Sequence, residues 1–340
     1  MTPKTRPIHV ILGPTASGKS DAALKLAQQK NGVIICADAI QFYQGLPLLT
    51  AQPSQDDLLQ SPHWLYETLP AHAPTFSAAH FCDAANKAIK RAHQDGLTPF
   101  LVGGTGFYIK ALIEGLSSMP PVPADTLDSL SKQSTKTLYQ KLKTLDSKST
   151  ETLDANDRQR VIRALSVLTT TGKPLRYWHN TTHKKESTLS FHITVIQPPN
   201  ETLNARIEKR CTLMFEKGLM KEVRAFREQF LQQIKRPATH ITKSDKHAKQ
   251  LTQRAVRHLL EEHFGYSAFW PAVTRALGFF DLLLALEGGI SEKAAKHLVI
   301  QRTRQYAKRQ RTWIRHQVNA HALFDNAKNV KISDAFFARR

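Results

Sequence analysis

The chain has little cysteine. Cys36, Cys82 and Cys211 are odd in number, far apart and form no C-x-x-C pair, which excludes a disulfide framework and offers no thiolate metal site. Long apolar runs are lacking too: no stretch approaches the 18 residues of a membrane-spanning helix, and the N-terminus leads straight into a strand pattern rather than a cleavable signal. These absences point to a soluble, cytoplasmic protein. The 15 histidines form no ligand pattern. His179 and His183 have helical i, i+4 spacing, but without a carboxylate or thiolate partner nearby they read as surface residues. Internal repeats and low-complexity segments are missing as well.

Acidic residues are also in deficit: 28 Asp and Glu stand against 48 Lys and Arg, a net charge of +20. The deficit is uneven. Met1 to Gly115 holds 9 Lys and Arg against 8 Asp and Glu, so nearly all the surplus lies beyond Gly115. A metabolite kinase has no need of it, whereas a protein that grips a phosphate backbone does. The plainer alternative is that the charge only aids solubility.

What is present is organised around GPTASGKS, Gly13, Pro14, Thr15, Ala16, Ser17, Gly18, Lys19 and Ser20. It is a complete G-x-x-x-x-G-K-S pattern, in which glycines let the backbone wrap a phosphate, a lysine supplies charge and a serine hydroxyl reaches Mg²⁺. The apolar run Ile8 to Leu12 enters it, and Asp21, Ala22, Ala23, Leu24, Leu26 and Ala27 leave it as a helix. Strand, loop and helix N-terminus together aim backbone N–H groups at an anion. The loop alone leaves open whether the phosphates belong to a nucleotide or to something else.

A second apolar run, Val33 to Cys36, ends at Asp38, and a third, Phe100 to Val102, ends in Gly103, Gly104 and Thr105. In an open parallel sheet, functional residues gather beyond the carboxyl ends of strands, so Lys19, Ser20, Asp38 and Thr105 converge. Read singly, Asp38 is equally a helix N-cap and Thr105 a turn hydroxyl. Pro53, Pro62, Pro70 and Pro74 mark a loop-rich passage, and Ser77 opens a helix to about Gln94. From Gly115 the chain reads as short polar helices until Phe191 to Ile196, whose alternation predicts a strand returning to the first sheet. At 340 residues there is length for two lobes. The expected fold is α/β: a P-loop NTPase-like parallel sheet flanked by helices, formed by 1–115 with about 190–340, an inserted helical lobe at about 116–189, and a helical C-terminal part.

In the insertion, Arg160 and Arg163 share a face while Val161, Leu165 and Leu168 pack inward. Beyond Pro199, Leu203, Ile207, Cys211, Met214 and Phe215 form one apolar stripe, which Leu219, Val223, Phe226 and Phe230 continue. Gln232 to about His263 is polar, basic and weakly periodic. The last helix, Ala294 to about His316, sets Val299, Tyr306 and Trp313 on a buried stripe and Arg304, Lys308, Arg311 and Arg315 opposite.

Together these residues resemble the tRNA dimethylallyltransferase (tRNA isopentenyltransferase) family. The resemblance rests on GPTASGKS at Gly13, ADAIQFY at Ala37, TAQP at Thr50, LVGGTGFYIKALIEGL at Leu101, NDRQRVIRAL at Asn156, TGKPL at Thr171, RIEKR at Arg206, EKGLMKEV at Glu216, ALGF at Ala276 and RQYAKRQRTWIR at Arg304. The motifs appear in the family's order and span most of the chain. The resemblance implies transfer of a dimethylallyl group from dimethylallyl diphosphate to N6 of the adenine 3′ of the anticodon, with Mg²⁺ and release of diphosphate; a monomer is expected. Gly13 to Ser20 would cradle the diphosphate and Ser20 would help hold Mg²⁺. Arg210 would meet charge on the leaving group, and Asp38, oriented by Thr105, would accept the N6 proton. Asp38, Ala39, Ile40, Gln41, Thr105, Gln159, Arg160, Val161, Ile162, Arg163, Arg275, Gly278 and Phe279 would touch tRNA at its anticodon loop, and the inserted helical lobe, an RNA-binding one, and the C-terminal basic helices would grip its stem. Ala39, His80, Ser166 and Phe279 stand where the family usually has serine, aspartate, glutamate and tyrosine. The other readings are a P-loop kinase using ATP, an isopentenyltransferase acting on free adenine nucleotides, and a non-enzymatic RNA-binding module.

Overall fold

The computed structural model describes residues 7–117, 119–181, 189–230, 256–257, 260 and 270–331. His183, Phe230's side chain and nearly all of the Gln232 to His263 stretch lie outside the described residues. Six strands form one sheet: β1 (Ile8–Leu12), β2 (Gly32–Cys36), β3 (His63–Trp64), β4 (Thr98–Gly103), β5 (Phe191–Ile196) and β6 (Ala322–Phe324). Their order is β3-β2-β4-β1-β5-β6, and every pairing is parallel. The late strand β5 lies beside β1, Val10 opposite Ile193.

Parallel strands covered on both faces bury every side chain, and β1, β2 and β4 do so at each position. The alternation divides them between two cores. Ile11, Ile34, Phe100 and Val102 meet Ala22, Ala23, Leu26 and Ala27 of α1 (Lys19–Gln29). Ile8, Val10, Leu12, Val33, Ile35 and Leu101 face the larger core. That core is built with α2 (Pro47–Thr50), α4 (Ala78–Gln94) and α5 (Gly106–Glu114), α3 (Gln55–Gln60) lying between the first two in the chain. Ser77 caps α4, accepting the His80 N–H. Two elements escape sequence reading. β3 is two residues long, and β6, with Leu323 exposed at the sheet edge, lacks a full alternating pattern.

The chain divides into two compact units, Met1–Ile113 with Ser187–Arg340, and Glu114–Glu186. The second unit contains α6 (Ala124–Ser131), α7 (Thr135–Leu145), α8 (Ser147–Thr150), α9 (Arg158–Thr171) and α10 (Leu175–Asn180). Its own core is Leu130, Leu138, Leu142, Val161, Ala164 and Leu165. Asp157 caps α9 by accepting the Arg160 N–H, and Gly172 ends it in the left-handed conformation.

The rest of the first unit is helical: α11 (Asn200–Glu216), α12 (Leu219–Phe230), α13 (Phe279–Leu286) and α14 (Glu292–Gln317). Leu203, Ile207, Cys211 and Met214 are buried, and Leu219, Val223 and Phe226 continue the packing. The basic face of α14 departs from its sequence reading. Arg304 is bonded to Glu208 Oε2 at 2.7 Å and Arg311 donates to the Pro198 carbonyl, leaving Lys308 and Arg315 exposed. None of the described helices is long and apolar enough to cross a membrane.

Inside the helical layer, Arg302 grips Asp281 with two bonds, Nε to Oδ2 at 2.5 Å and NH2 to Oδ1 at 2.7 Å, both residues being buried. Burial still raises the Asp281 carboxyl above its usual value, against the pull of Arg302. Asp281→Ala strands a buried guanidinium and is expected to cost about 3–5 kcal/mol of stability, read from the denaturant midpoint. On the sheet, His9 is buried against Phe100, ring centroids 5.1 Å apart, and beside His192. Burial, then the charges of His192 and Lys30, lower its pKa from 6.5 to about 3. The folded state therefore keeps His9 neutral while the unfolded chain takes up a proton below about pH 6.5. Stability is expected to fall as pH drops from 6.5 toward 3, and His9→Gln to flatten that acid limb in urea titrations.

Candidate active site

The site is assembled where β1, β2 and β4 end. Beyond Leu12 the chain turns through Gly13 to Gly18, Ser17 N–H donating to the Pro14 carbonyl at 3.1 Å, and enters α1 at Lys19. The helix thus begins at the loop's last residues, the arrangement that attracts an anion. Two arginines of α11 brace the loop: Arg206 donates to Ser17 O at 2.9 Å and Arg210 to Thr15 Oγ1 at 2.6 Å. Among the described residues, neither Ser17 Oγ nor Arg210 Nε, both buried, has a hydrogen-bond partner. A phosphate in the loop would satisfy such donors.

At the end of β2, Asp38 Oδ1 accepts the Ile40 N–H at 3.2 Å, and the Ala39 N–H donates to Thr105 Oγ1 at 3.0 Å. The crossing is allowed because β4 ends in Gly103: a Cβ there would stand 2.0 Å from the Ala37 carbonyl oxygen. Asp38 and Lys19 lie within each other's field. Burial pulls the Lys19 ammonium below its ordinary pKa, the Asp38 charge opposes the shift and Arg210 adds to it. Gln41 donates to the carbonyls of Thr50 and Ala51 at 3.0 and 2.6 Å. Glu222 of α12 then accepts the Leu48 and Leu49 N–H groups at 2.7 and 3.0 Å, capping α2 where Leu46 offers no side-chain cap. Thus α11 and α12 hold the loops that carry the polar groups.

A cleft of about 730 Å³ opens beside the loop, lined by Lys19, Ser20, Gln52, Tyr66, Arg210 and Lys328 among others. The described residues contain no cluster of three His, Cys, Asp or Glu able to hold a metal. A cation here would be held by the exposed Ser20 hydroxyl together with ligand phosphate oxygens.

The structure brings Gly13 to Ser20, Asp38 to Gln41, Thr105 and Arg210 into one site. Arg275 is exposed, with the Tyr43 and Tyr108 hydroxyls in its field. Gln159, Arg160 and Arg163 are exposed in the second unit, with Ile162 half-buried. Three positions need correcting as direct contacts. Val161 and Phe279 are fully buried, the first in the core of the second unit and the second against Phe226 and Phe280, so neither side chain can meet a ligand. Gly278 is likewise enclosed, a Cβ there falling 2.5 Å from Val299. Sequence reading missed Tyr306 and Gln310 of α14. Burial and then the Asp38 charge push the Tyr306 hydroxyl above its ordinary pKa, so Tyr306 stands close to the site. Gln310 is buried, and an amide in an otherwise apolar helix stripe was the available signal.

Comparison with known proteins identifies the family. The family model described as IPP transferase matches residues 41–317. The tRNA dimethylallyltransferase of Zymomonas mobilis is 34% identical over 98% of this chain and 96% of its own length, and that of Rhodospirillum centenum 36% over 95% and 93%. The crystal structure of a tRNA isopentenylpyrophosphate transferase from Bacillus halodurans superposes with a TM-score of 0.62 at 25% identity, covering 98% of this chain and 93% of the other. A eukaryotic dimethylallyltransferase acting on tRNA shares the fold, with a TM-score of 0.72 at 23% identity over 94% and 74%. With a family match over most of its length and full-length relatives above 30% identity, the chain belongs to the IPP transferase family.

Proposed function

We propose that the protein is a tRNA dimethylallyltransferase that moves a dimethylallyl group from dimethylallyl diphosphate to N6 of the adenine adjacent, on the 3′ side, to the anticodon. The observation that carries this reading is the placement of Asp38 within the field of Lys19 and Arg210. A carboxylate able to take a proton thus adjoins a cradle able to hold a departing diphosphate. Relatives named for this activity, similar along nearly the full chain, favour it over a kinase or a nucleotide prenyltransferase.

In the reaction, the N6 lone pair attacks C1 of the dimethylallyl group while the C1–O bond to diphosphate breaks. Asp38 takes the N6 proton. Thr105 holds the Ala39 N–H and so fixes the turn that aims the carboxylate. Lys19, Arg210 and the loop amides stabilise the charge that builds on the diphosphate, Arg210 remaining anchored at Thr15. Mg²⁺, bound through Ser20, would neutralise part of that charge. The adenine must leave its stack to reach Asp38, which in a single-stranded loop costs a few kcal/mol. Exposed Arg160, Arg163, Arg275, Lys308 and Arg315 supply cations for the RNA backbone.

Asp38→Ala is expected to slow prenyl transfer by about 10²–10⁴-fold, the range for a general base, with tRNA affinity retained in filter binding. Near-normal turnover would remove Asp38 from this role. If basic residues grip six or more phosphates, tRNA affinity should fall by about 10³-fold or more between roughly 50 and 200 mM salt. A flat titration would mean that the basic surfaces do not hold the backbone.

A further inference from the structure

The face of α14 toward the site carries a device that the reaction chemistry leaves unassigned. Gln310 Oε1 accepts the Thr15 N–H at 2.8 Å, and its Nε2 donates to the Gly104 carbonyl at 2.9 Å. One carboxamide therefore ties the phosphate loop to the loop that bears Thr105. Space for it is made by glycine, since a Cβ on Gly104 would fall 2.3 Å from Gln310 Nε2. One turn further on, Trp313 lies over Gly106, where a Cβ would be 2.1 Å from the indole ring. One turn back, the Tyr306 hydroxyl lies in the field of Asp38.

We propose that Gln310 is a positioning residue that sets the distance between the departing diphosphate and the nucleophile. This rests on the reading of the site as a prenyl-transfer centre. The chain of contacts is short and complete. Thr15, held by Arg210 on its hydroxyl, is held by Gln310 on its N–H. Gly104 precedes Thr105, whose hydroxyl holds Ala39 and with it the Asp38 turn. A carboxamide suits the task because it offers one acceptor and one donor in a fixed plane. Its burial matters equally, since water cannot compete for either bond. In-line transfer is sensitive to misplacement of about 1 Å, and beyond the last pair of β1 with β4, Leu12 with Gly103, no backbone hydrogen bond among the described residues joins Thr15 to Gly104. The side chain of α14 does what the sheet does not.

Gln310→Met keeps the length and removes both polar atoms. Expected is a fall of about 10–100-fold in single-turnover transfer of labelled dimethylallyl groups to tRNA at saturating substrate. KM for dimethylallyl diphosphate, the affinity for inorganic diphosphate with Mg²⁺ by calorimetry, and the affinity for tRNA should each change less than about threefold. Hydrogen exchange at the Thr15 amide should speed up in the same variant, reporting the lost bond independently of activity. Should Gln310→Met fail to fold, Gln310→Glu carries the same measurements. It keeps the acceptor for Thr15, so exchange there should stay slow, but sets a carboxylate against the Gly104 carbonyl, and transfer should fall by the same factor of about 10–100-fold; wild-type transfer by this variant, folded, also overturns the proposal. A folded variant with released Thr15 and wild-type transfer overturns the proposal, as does a loss confined to KM or to diphosphate affinity. Wild-type protein that moves no label to tRNA overturns the functional reading instead.

Discussion

The ends of β2 and β4 approach so closely that nothing larger than hydrogen fits at Gly103, where an added Cβ would sit 2.0 Å from the Ala37 oxygen. The site depends on this approach. It lets the Thr105 hydroxyl cross from one strand's loop to the Ala39 N–H of the other, and so gives Asp38 a fixed bearing toward Lys19. The P-loop is the third party: β1, which leads into it, pairs with β4 as far as Leu12 and Gly103, and the sheet gives the loop no hold beyond that pair. Its hold comes from α11 through Arg206 and Arg210 and from α14 through Gln310. A parallel sheet thus places three loops side by side, and two helices from the distant C-terminal half fix their spacing.

Electrostatics divides along the chain in a related way. The residues up to Gly115 are nearly neutral, so the charge around the phosphate loop is local and specific rather than a general field. The surplus beyond it is of two kinds. Some cations are committed to the fold, as Arg302 to Asp281, Arg304 to Glu208, and Arg206 and Arg210 to the loop. Others, including Arg163, Lys308 and Arg315, stand in solvent, where they are available to a polyanion. Net charge alone overstates the second group, because a buried or braced arginine adds to the total without presenting itself to a partner.

The amino-acid sequence by itself determined the α/β fold, the strands β1, β2, β4 and β5, the glycine turn from Gly13 to Ser20 between β1 and α1, and the gathering of Lys19, Asp38 and Thr105. Each rests on local signals: apolar runs with a fixed period, glycines at a turn, and the rule that parallel strands end on the same side. Family motifs added Arg210, whose place against Thr15 has no local signature. Only the tertiary structure decided that Phe279 faces a core, that half of the basic stripe on α14 is spent on internal bonds, and that Gln310 bonds the backbone of Thr15 and Gly104. The same holds for β3 and β6, too short to show a period. The physical reason is common to all of these: a helical or edge residue acquires its role from whatever packs against it, and those partners lie as far as 295 positions away, as Gln310 does from Thr15.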